Sequence, residues 1–520
     1  MKYALATSLC AALTAALASA QFADWNTAGF DAQRSNWLRT DTKISLESMR
    51  TPGFELVWKS KVIPEGQAQR LAPPVLLDFY ISYRGFRSLA FVGGSGNSVV
   101  AYDADLGRVE WRKDFKVEGG VAARTAACPG GMTAPLSRPA VVGYPPSTGA
   151  GGRGRGTAAK SGVGEPFEGA VTLRRDTPRP QQPPQVKSDA NLARRVAVPQ
   201  SQFAPRVQLV HALTADGKLH SMYVSNGEEP KPAVSFVPAN AHAKGLLVVD
   251  NVAYVATVNG CGGVENGLWA LDLQSHKVAH WKSDASVAGT SALAATPDGI
   301  IFAAAGGELV ALEPRTLARK GASSIVNQVF TSSPVVMDMG GKDFIAAASN
   351  DGKIHVFDSG SFGAPVASTP AFVDGKGAPT ALASWVDSGG ARWILAPIAG
   401  KPLVGGGPTG DASNGGIVAW KLFNRAGATS LELGWVSRDL TLPPAPIVVN
   451  GVVFALSRGG GTGAPATLYA FDSSTGKELW NSGRTITGPV NVDGLSAGGS
   501  RVYVASEDGT QYVFGFPIEH

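Results

Sequence analysis

The chain alternates short apolar runs with turns that are rich in glycine, proline, asparagine and aspartate. Residues 467–472, TLYAFD, place Tyr469 and Phe471 at alternate positions, as a half-buried β-strand requires. A Ser-Ser-Thr-Gly segment follows, and glycine adopts the positive φ of a tight turn without strain. A further strand then carries Trp480. The pattern predicts two antiparallel strands joined by a tight turn.

Comparable segments recur along the chain. Examples are VVAYDADLGRVEW at 99–111, LWALDLQSHKVAHW at 268–281 and IVAWKLF at 417–423. Another short apolar strand precedes each copy, and a segment of small residues and proline usually lies further upstream. The unit is therefore four strands, A to D, of which strand D carries a tryptophan. Most units recur after about 40 to 60 residues, which is the period of propeller blades.

The number of units predicts the architecture. Eight units begin near the following residues: Leu71, Thr133, Phe236, Val287, Val329, Phe372, Leu442 and Thr485. The eighth ends at Phe516 without a tryptophan strand, whereas 54–59, FELVWK, is an isolated strand D. We therefore predict an all-β, eight-bladed propeller over 54–520, whose last blade is completed by an N-terminal strand.

The tryptophans of the D strands have a structural role in this interpretation. Their flat rings bury a large area at a small cost in side-chain entropy, so we expect them to pack between neighbouring blades. The predicted docking residues are Trp58, Trp111, Trp281, Trp435 and Trp480.

The first twenty residues have the pattern of a secretory signal. Lys2 precedes an apolar run at 4–17 that is short for a membrane span, and Ala18-Ser19-Ala20 matches a signal-peptidase site. We predict a signal peptide at 1–20, with an uncleaved anchor as the alternative, followed by an N-terminal segment at 21–53. The mature protein is then exported, periplasmic or secreted, with no transmembrane segment.

Composition supports a globular chain and locates its positive charge. The 520 residues are 44% hydrophobic and 17% charged. The net charge is +5, but 144–206 alone holds ten Lys and Arg against four Asp and Glu. This Pro/Gly-rich insert is predicted to be disordered, between strands A and B of blade 2. It is either a solvated loop or a tether to an anionic surface. We expect no nucleic-acid partner, because an exported protein seldom meets one.

Two cysteines remain after the predicted cleavage, Cys128 and Cys261. Blade topology places them on the same face of neighbouring blades, so an oxidising compartment favours a disulfide between them. Two buried free thiols are the alternative. Their spacing matches no zinc or haem attachment motif.

The repeat resembles a known family. Residues 470–480, AFDSSTGKELW, match the AxDxxxGKxxW docking pattern of the quinoprotein (pyrroloquinoline-quinone, PQQ) repeat family. The segment DWNTAGFDAQRSNW at 24–37, followed by Ile44 and FELVW, also resembles the N-terminal region of quinoprotein dehydrogenases. The same repeats build dehydrogenases and non-catalytic propellers, among them the scaffold lipoprotein of the outer-membrane β-barrel assembly machinery.

The resemblance does not assign a catalytic site. Catalytic members of the family carry a disulfide between adjacent cysteines over the quinone, a tryptophan beneath it, acidic and amide calcium ligands, and an aspartate base. No two cysteines are adjacent in this sequence, and we carry over no catalytic residue or metal ligand. We expect a non-catalytic scaffold that binds a protein or a small ligand. The alternative is a PQQ- and calcium-dependent oxidoreductase acting on an alcohol or sugar.

Three predicted B-to-C loops are long, at 259–267, 398–416 and 457–467. In a propeller these loops and the D-to-A connections line one mouth of the central channel, where ligands often bind. Long loops are often functional, although these three can also be simply long. A lone histidine such as His242 is more often structural. The candidate ligand-binding residues are Asn240, His242, Asn259, Glu265, Asn266, Lys401, Asp411, Asn414 and Arg458.

Overall fold

The computed structural model describes residues 24–62, 71–82, 85–117, 125–140, 208–405, 412–425, 428–459 and 465–517. Within these ranges the chain forms eight sheets and three single-turn 3₁₀ helices, with no α-helix. The prediction of an all-β, eight-bladed propeller is confirmed. No helix in the described ranges combines the length and hydropathy needed to cross a bilayer.

Some predicted segments lie outside this description. The chain divides into one unit of 1–145 with 208–520, and a second unit of 146–207. The predicted signal peptide (1–20) and the basic insert (144–206) both fall outside the described residues.

The strands follow in chain order. The N-terminal segment contains β1 (Trp37–Leu38) and a 3₁₀ turn (Ser48–Arg50), and β2 (Glu55–Lys61) follows it. Blade 1 contains β3 (Val75–Ser82), β4 (Gly85–Gly94), β5 (Ser98–Asp103) and β6 (Val109–Asp114). After β7 (Pro139–Ala140), blade 2 contains β8 (Leu209–Leu213), β9 (Lys218–Tyr223) and β10 (Val234–Ser235).

Blade 3 contains β11 (His242–Val249), β12 (Val252–Val258), a 3₁₀ turn (Cys261–Gly263), β13 (Gly267–Asp272) and β14 (Val278–Lys282). Blade 4 contains β15 (Leu293–Ala295), β16 (Ile301–Ala305), β17 (Glu308–Leu312) and β18 (Arg319–Ser324). Blade 5 contains β19 (Val335–Met339), β20 (Lys342–Ala348), β21 (Ile354–Asp358) and β22 (Ala367–Ser368).

Blade 6, after a 3₁₀ turn (Gly375–Gly377), contains β23 (Ala383–Val386), β24 (Arg392–Ala399), β25 (Gly415–Arg425) and β26 (Ala428–Val436). Blade 7 contains β27 (Ile447–Val449), β28 (Val452–Ser457), β29 (Thr467–Asp472) and β30 (Glu478–Asn481). Blade 8 contains β31 (Val490–Gly498), β32 (Arg501–Ser506) and β33 (Thr510–Gly515).

An N-terminal strand completes blade 8, as predicted. Strand β2 pairs antiparallel with β33, from Glu55 opposite Gly515 to Lys61 opposite Thr510. Two short strands also extend the inner edges of blades, because β1 pairs parallel with β27 and β7 pairs parallel with β11. The first and last parts of the chain therefore share one sheet, which leaves the ring of blades without a gap.

The docking tryptophans explain the glycine in the repeat. Trp58, Trp111 and Trp435 each donate an indole N–H to a backbone carbonyl of the next blade, at 3.0, 2.9 and 2.8 Å. Each ring lies against the positive-φ glycine of that blade's C-to-D turn, which is Gly107, Gly227 or Gly476 respectively. A Cβ at any of these glycines would lie 2.6 Å from the indole. The motif therefore pairs the tryptophan of one blade with the glycine of the next.

The other two predicted docking residues are also packed. Trp480 makes edge contacts with Phe54 and Phe514, at ring-centroid distances of 4.9 and 5.7 Å. Trp281 is half-buried against the core between blades 3 and 4.

The N-terminal segment follows the inner wall of the channel. The backbone carbonyls of residues 25, 26, 32, 33, 35 and 36 accept hydrogen bonds from inner strands or connections of blades 1, 2, 4, 5, 6 and 7 in turn. Thr27 donates its hydroxyl to Leu246 of blade 3 at 2.8 Å, and Asp41 accepts from the Ser500 backbone of blade 8 at 2.9 Å. Residues 25–41 therefore bond to all eight blades.

Arg34 anchors this segment. Its guanidinium is 1% exposed and donates to the carbonyls of Leu293 (2.7 Å) and Gly245 (2.8 Å), and to the Thr27 hydroxyl (2.8 Å). Burial lowers the pKa of Arg34 to about 10, so the group stays charged at neutral pH. The side chain thus connects the segment to blades 3 and 4.

We predict that Arg34→Met lowers the free energy of unfolding by about 3 to 5 kcal/mol, because it leaves buried acceptors unpaired. Urea unfolding followed by tryptophan fluorescence measures the change. Arg50→Met is the matched control, since the Arg50 side chain is 65% exposed and makes a long contact of 3.8 Å to Asp472. Its expected effect is within about 0.5 kcal/mol. Equal losses in the two variants would contradict the anchoring role.

Candidate functional site

A cavity of about 430 Å³ opens at the mouth of the channel, on the face that carries the B-to-C and D-to-A connections. Its floor is formed by Trp25, Thr27, Ala28 and Gly29 of the N-terminal segment. The connections into blades 1 to 4 and the B-to-C turn of blade 8 contribute most of its walls. Its lining includes Leu71, Ala72, Pro73, Pro74, Ser95, Pro129, Gly130, Met132, Thr133, Pro135, His242, Lys244, Thr290, Ser291, Leu495 and Glu507.

The floor of this pocket is rigidly held. Trp25 is 1% exposed and packs edge-on against Phe30, with ring centroids 5.3 Å apart. Its carbonyl accepts the Leu76 N–H at 2.8 Å. Gly29 has a φ of +75°, and a Cβ there would lie 3.3 Å from the Arg34 Cα. A glycine is therefore needed where the segment turns back over Arg34.

One wall is tied to blade 3. Cys128 and Cys261 form a disulfide with a Cα–Cα distance of 5.5 Å. The adjacent Ala127 carbonyl accepts the His242 Nδ1–H at 2.9 Å and an Asn259 amide N–H at 3.0 Å. The disulfide and these two hydrogen bonds fix the position of the wall.

The pocket carries charge of both signs. His242 and Lys244 alternate along β11, so both lie on the same face of the strand. The Lys244 ammonium lies 3.4 Å from the Gly289 carbonyl oxygen. Across the pocket, Glu507 accepts a hydrogen bond from Arg458 at 2.9 Å. Arg458 is therefore a neighbour of the pocket through Glu507.

The structure brings only some of the predicted residues to this pocket. His242 lines it, Asn259 lies beside His242, and Arg458 contacts a lining residue. Asn240 instead has a φ of +62° and donates its backbone N–H to Ala215.

The remaining predicted residues lie elsewhere on the loops. Glu265 forms an exposed ion pair with Lys282, and Asn266 accepts the Gly260 N–H. Asn414 binds Asp439 within blade 6 at 2.7 Å, and Lys401 is exposed. Asp411 lies outside the described residues. Loop length alone did not indicate which blades border the pocket.

Sequence analysis missed the floor and part of the wall. Trp25, Thr27 and Gly29 belong to the dehydrogenase-like N-terminal segment. The sequence shows the resemblance of this segment but does not indicate where it lies in the fold. Lys244 lies two residues after His242 on the same strand, and this alternation was the available signal. Glu507 lies in a short turn of blade 8, and short turns gave no such signal.

The pocket does not match the donor set that the family resemblance implies. Calcium takes about six to eight oxygen ligands. Glu507 is the one carboxylate among the described lining residues, and it is paired with Arg458. The described ranges contain no group of three or more His, Cys, Asp or Glu that could hold a metal. The disulfide joins cysteines 133 positions apart and not adjacent ones.

An acidic cluster lies towards the other end of strand β3. Asp78 accepts the Gly499 N–H at 3.0 Å, and Asp24 accepts the Asp78 N–H at 2.9 Å. Asp24 also pairs with Arg138 at 2.9 Å. Burial, and next the charge of Asp24, raise the pKa of Asp78 to about 8, although Gly499 and Arg138 oppose the shift. The cluster joins the N-terminal segment to blades 1, 2 and 8.

No protein-family model and no curated protein matches the chain. Among solved structures, it is similar to quinohemoprotein alcohol dehydrogenase from Comamonas testosteroni, at 14% identity and a TM-score of 0.58, over 96% of this chain and 81% of that one. It is also similar to a quinohemoprotein alcohol dehydrogenase from Pseudomonas putida HK5, at 12% identity and a TM-score of 0.56, over 96% of this chain and 82% of that one. A third similar structure is a europium-containing methanol dehydrogenase, at 11% identity and a TM-score of 0.54, over 95% of this chain and 98% of that one. The chain therefore has the PQQ-type quinoprotein β-propeller fold.

We predict that the Asp78→Asn variant becomes progressively more stable, relative to the parent protein, as the pH rises. The pKa of the Asp78 carboxyl is about 8 in the folded protein, which is above its value in the unfolded chain. Its contribution to stability is therefore fully present at a pH below the unfolded pKa. That contribution is lost as the pH rises towards 8, and the amide does not titrate. In thermal unfolding, the gap between variant and parent should widen from pH 5 to 8 and then level off. A gap independent of pH would contradict this account.

Proposed function

We propose that this protein is an exported, non-catalytic β-propeller that binds a small organic ligand in the pocket at the mouth of its channel. One observation carries the proposal: the segment that contains Trp25 and Gly29 forms the bottom of a cavity of about 430 Å³ at the mouth of the channel. Sites for small molecules typically have volumes of about 300 to 1,000 Å³.

The lining favours a ligand with an apolar body. Four prolines contribute rigid apolar surface and Met132 contributes adaptable apolar surface, all on the connections into blades 1 and 2. Thr290, Ser291 and Lys244 lie among the polar groups on the blade 3 and 4 side. A few polar groups beside apolar walls can orient a ligand while the walls supply most of the binding energy.

A protein partner on the same face is the second form of binding that fits. The D-to-A connections of blades 5 and 7 expose Val326 (82%) and Leu442 (50%), and the long loop of blade 6 exposes Leu403 (62%). These three side chains lie on connections of the face that carries the pocket, so a protein partner docking on that face would cover them. Export is supported by the signal-like N-terminus and by the Cys128–Cys261 disulfide.

The alternative function is a PQQ- and calcium-dependent oxidoreductase. Fold similarity to two quinohemoprotein alcohol dehydrogenases and a methanol dehydrogenase, over 95% or more of the chain, favours it. The set of possible calcium ligands in the described pocket argues against the oxidoreductase, because its single carboxylate, Glu507, is already paired with Arg458. We therefore place binding before catalysis.

We predict that the mature chain binds the apolar fluorophore N-phenyl-1-naphthylamine saturably, at one site per chain. Thr290→Trp places an indole at the pocket and should weaken this binding at least about tenfold, or 1.4 kcal/mol. Thr380→Trp is the matched control, since Thr380 also lies three residues before an inner strand but outside the pocket lining. Binding that does not saturate, or equal loss in both folded variants, would contradict the proposed pocket.

Quinone titration separates the two functions. With PQQ and calcium at a hundredfold excess over the dissociation constant, a quinone-binding protein would gain about 2.7 kcal/mol of apparent stability. We expect no such gain in thermal unfolding, and no dye reduction with alcohols or sugars. A clear gain accompanied by dye reduction would replace the binding proposal with the oxidoreductase.

A further inference from the structure

The disulfide lies in the wall of the pocket. Cys128 is in the connection into blade 2, and the next two residues, Pro129 and Gly130, line the cavity. Cys261 is in the long B-to-C loop of blade 3. A single covalent bond therefore joins the wall on one blade to a loop on its neighbour.

Few other hydrogen bonds hold residues 125–128, whereas the connection is anchored further along by Thr133, whose hydroxyl bonds both backbone groups of Ala243 at 2.9 Å. The bonds between Thr125 and Cys128 (3.1 and 3.0 Å) lie within their own turn. Outside that turn, the hydrogen bonds of residues 125–128 to the rest of the described chain converge on the Ala127 carbonyl. Residues 125–127 are exposed. Exposed backbone with few hydrogen bonds opens locally at little cost in free energy.

The wall also positions a pocket residue. His242 lines the cavity and donates Nδ1–H to the Ala127 carbonyl, one residue from the disulfide. Asn259 donates to the same oxygen, and the Cys261 sulfur lies 3.4 Å from it. Movement of Cys128 would therefore displace the acceptor that orients the His242 ring.

We propose that the Cys128–Cys261 disulfide is a redox-controlled clamp on the channel-mouth pocket. When it is oxidised, it holds residues 125–130 against blade 3 and keeps His242 in place. Reduction releases this wall and changes ligand binding, while the blades stay folded. This regulation goes beyond the proposed ligand binding, and only its binding readout rests on that function.

The reaction is a thiol–disulfide exchange with an external dithiol. Cys261 is 4% exposed whereas Cys128 is partly exposed, so the external thiolate attacks the Cys128 sulfur. The S–S bond breaks, Cys261 leaves as a thiolate and takes up a proton. The second thiol of the reductant then releases Cys128. Two electrons pass to the protein, and the dithiol becomes a disulfide.

Hydrogen exchange by mass spectrometry tests the clamp on the full mature chain. We compare the oxidised protein, the protein in dithiothreitol, and the double variant Cys128→Ser, Cys261→Ser, which gives the unlinked state even where dithiothreitol fails. Peptides covering 125–135 should exchange at least about tenfold faster when unlinked, because residues 125–130 lose their covalent link to blade 3. Peptides of blade 6, 383–399, should not change and serve as the internal control.

Each outcome decides the proposal. Unchanged exchange at 125–135 would overturn the clamp, and so would equally faster exchange in blade 6, which indicates a global structural role. N-phenyl-1-naphthylamine affinity should change at least about threefold between the two states, so an unchanged affinity would also overturn it. If the fluorophore binds to neither state, the ligand-binding proposal fails while the exchange data still test the clamp.

Discussion

All eight blades, through an inner strand or a loop at its end, form hydrogen bonds to one segment, residues 25–41. Inner-strand backbone groups face a narrow channel, and buried N–H groups need partners. The segment supplies them in blade order, from the Trp25 carbonyl at blade 1 to the Asp41 carboxylate at blade 8. Its polar backbone thus lines the inner wall of the channel, and the space left above it at this mouth is the pocket. The site is therefore a consequence of how the channel is closed.

A second set of contacts holds the blades to one another. Trp58 reaches from blade 8 to Gly107 of blade 1, and Trp435 reaches from blade 6 to Gly476 of blade 7. The tryptophan needs a turn without a side chain beneath it, and the positive φ of that turn also favours glycine. One short motif therefore specifies both a turn within a blade and the packing between blades.

The repeat made the fold predictable because its signals are local. Alternation, turn residues and the spacing of tryptophans indicated eight blades, and the isolated FELVWK strand indicated closure by β2. The pocket was harder to predict, because residues 24–41 have no period that reveals their path. The connection into blade 3 and the long loop at 259–267 indicated the correct face for His242 and Asn259. The long loop at 398–416 also pointed to Lys401 and Asn414, which the structure places away from the pocket. Which blades border a cavity depends on the path of the N-terminal segment.

The most direct test of this account is native-state hydrogen exchange at single-residue resolution on the mature chain. The amides of Leu76, Ala295, Val336, Ser384 and Val448 donate to carbonyls of the N-terminal segment. If the segment is an integral part of the fold, these five amides exchange only through global unfolding, with the same free energy as the buried strands β12 and β28. Exchange of the five amides at a lower free energy, while β12 and β28 stay protected, would mean that the segment detaches. The channel floor and the pocket would then not be permanent features of the protein.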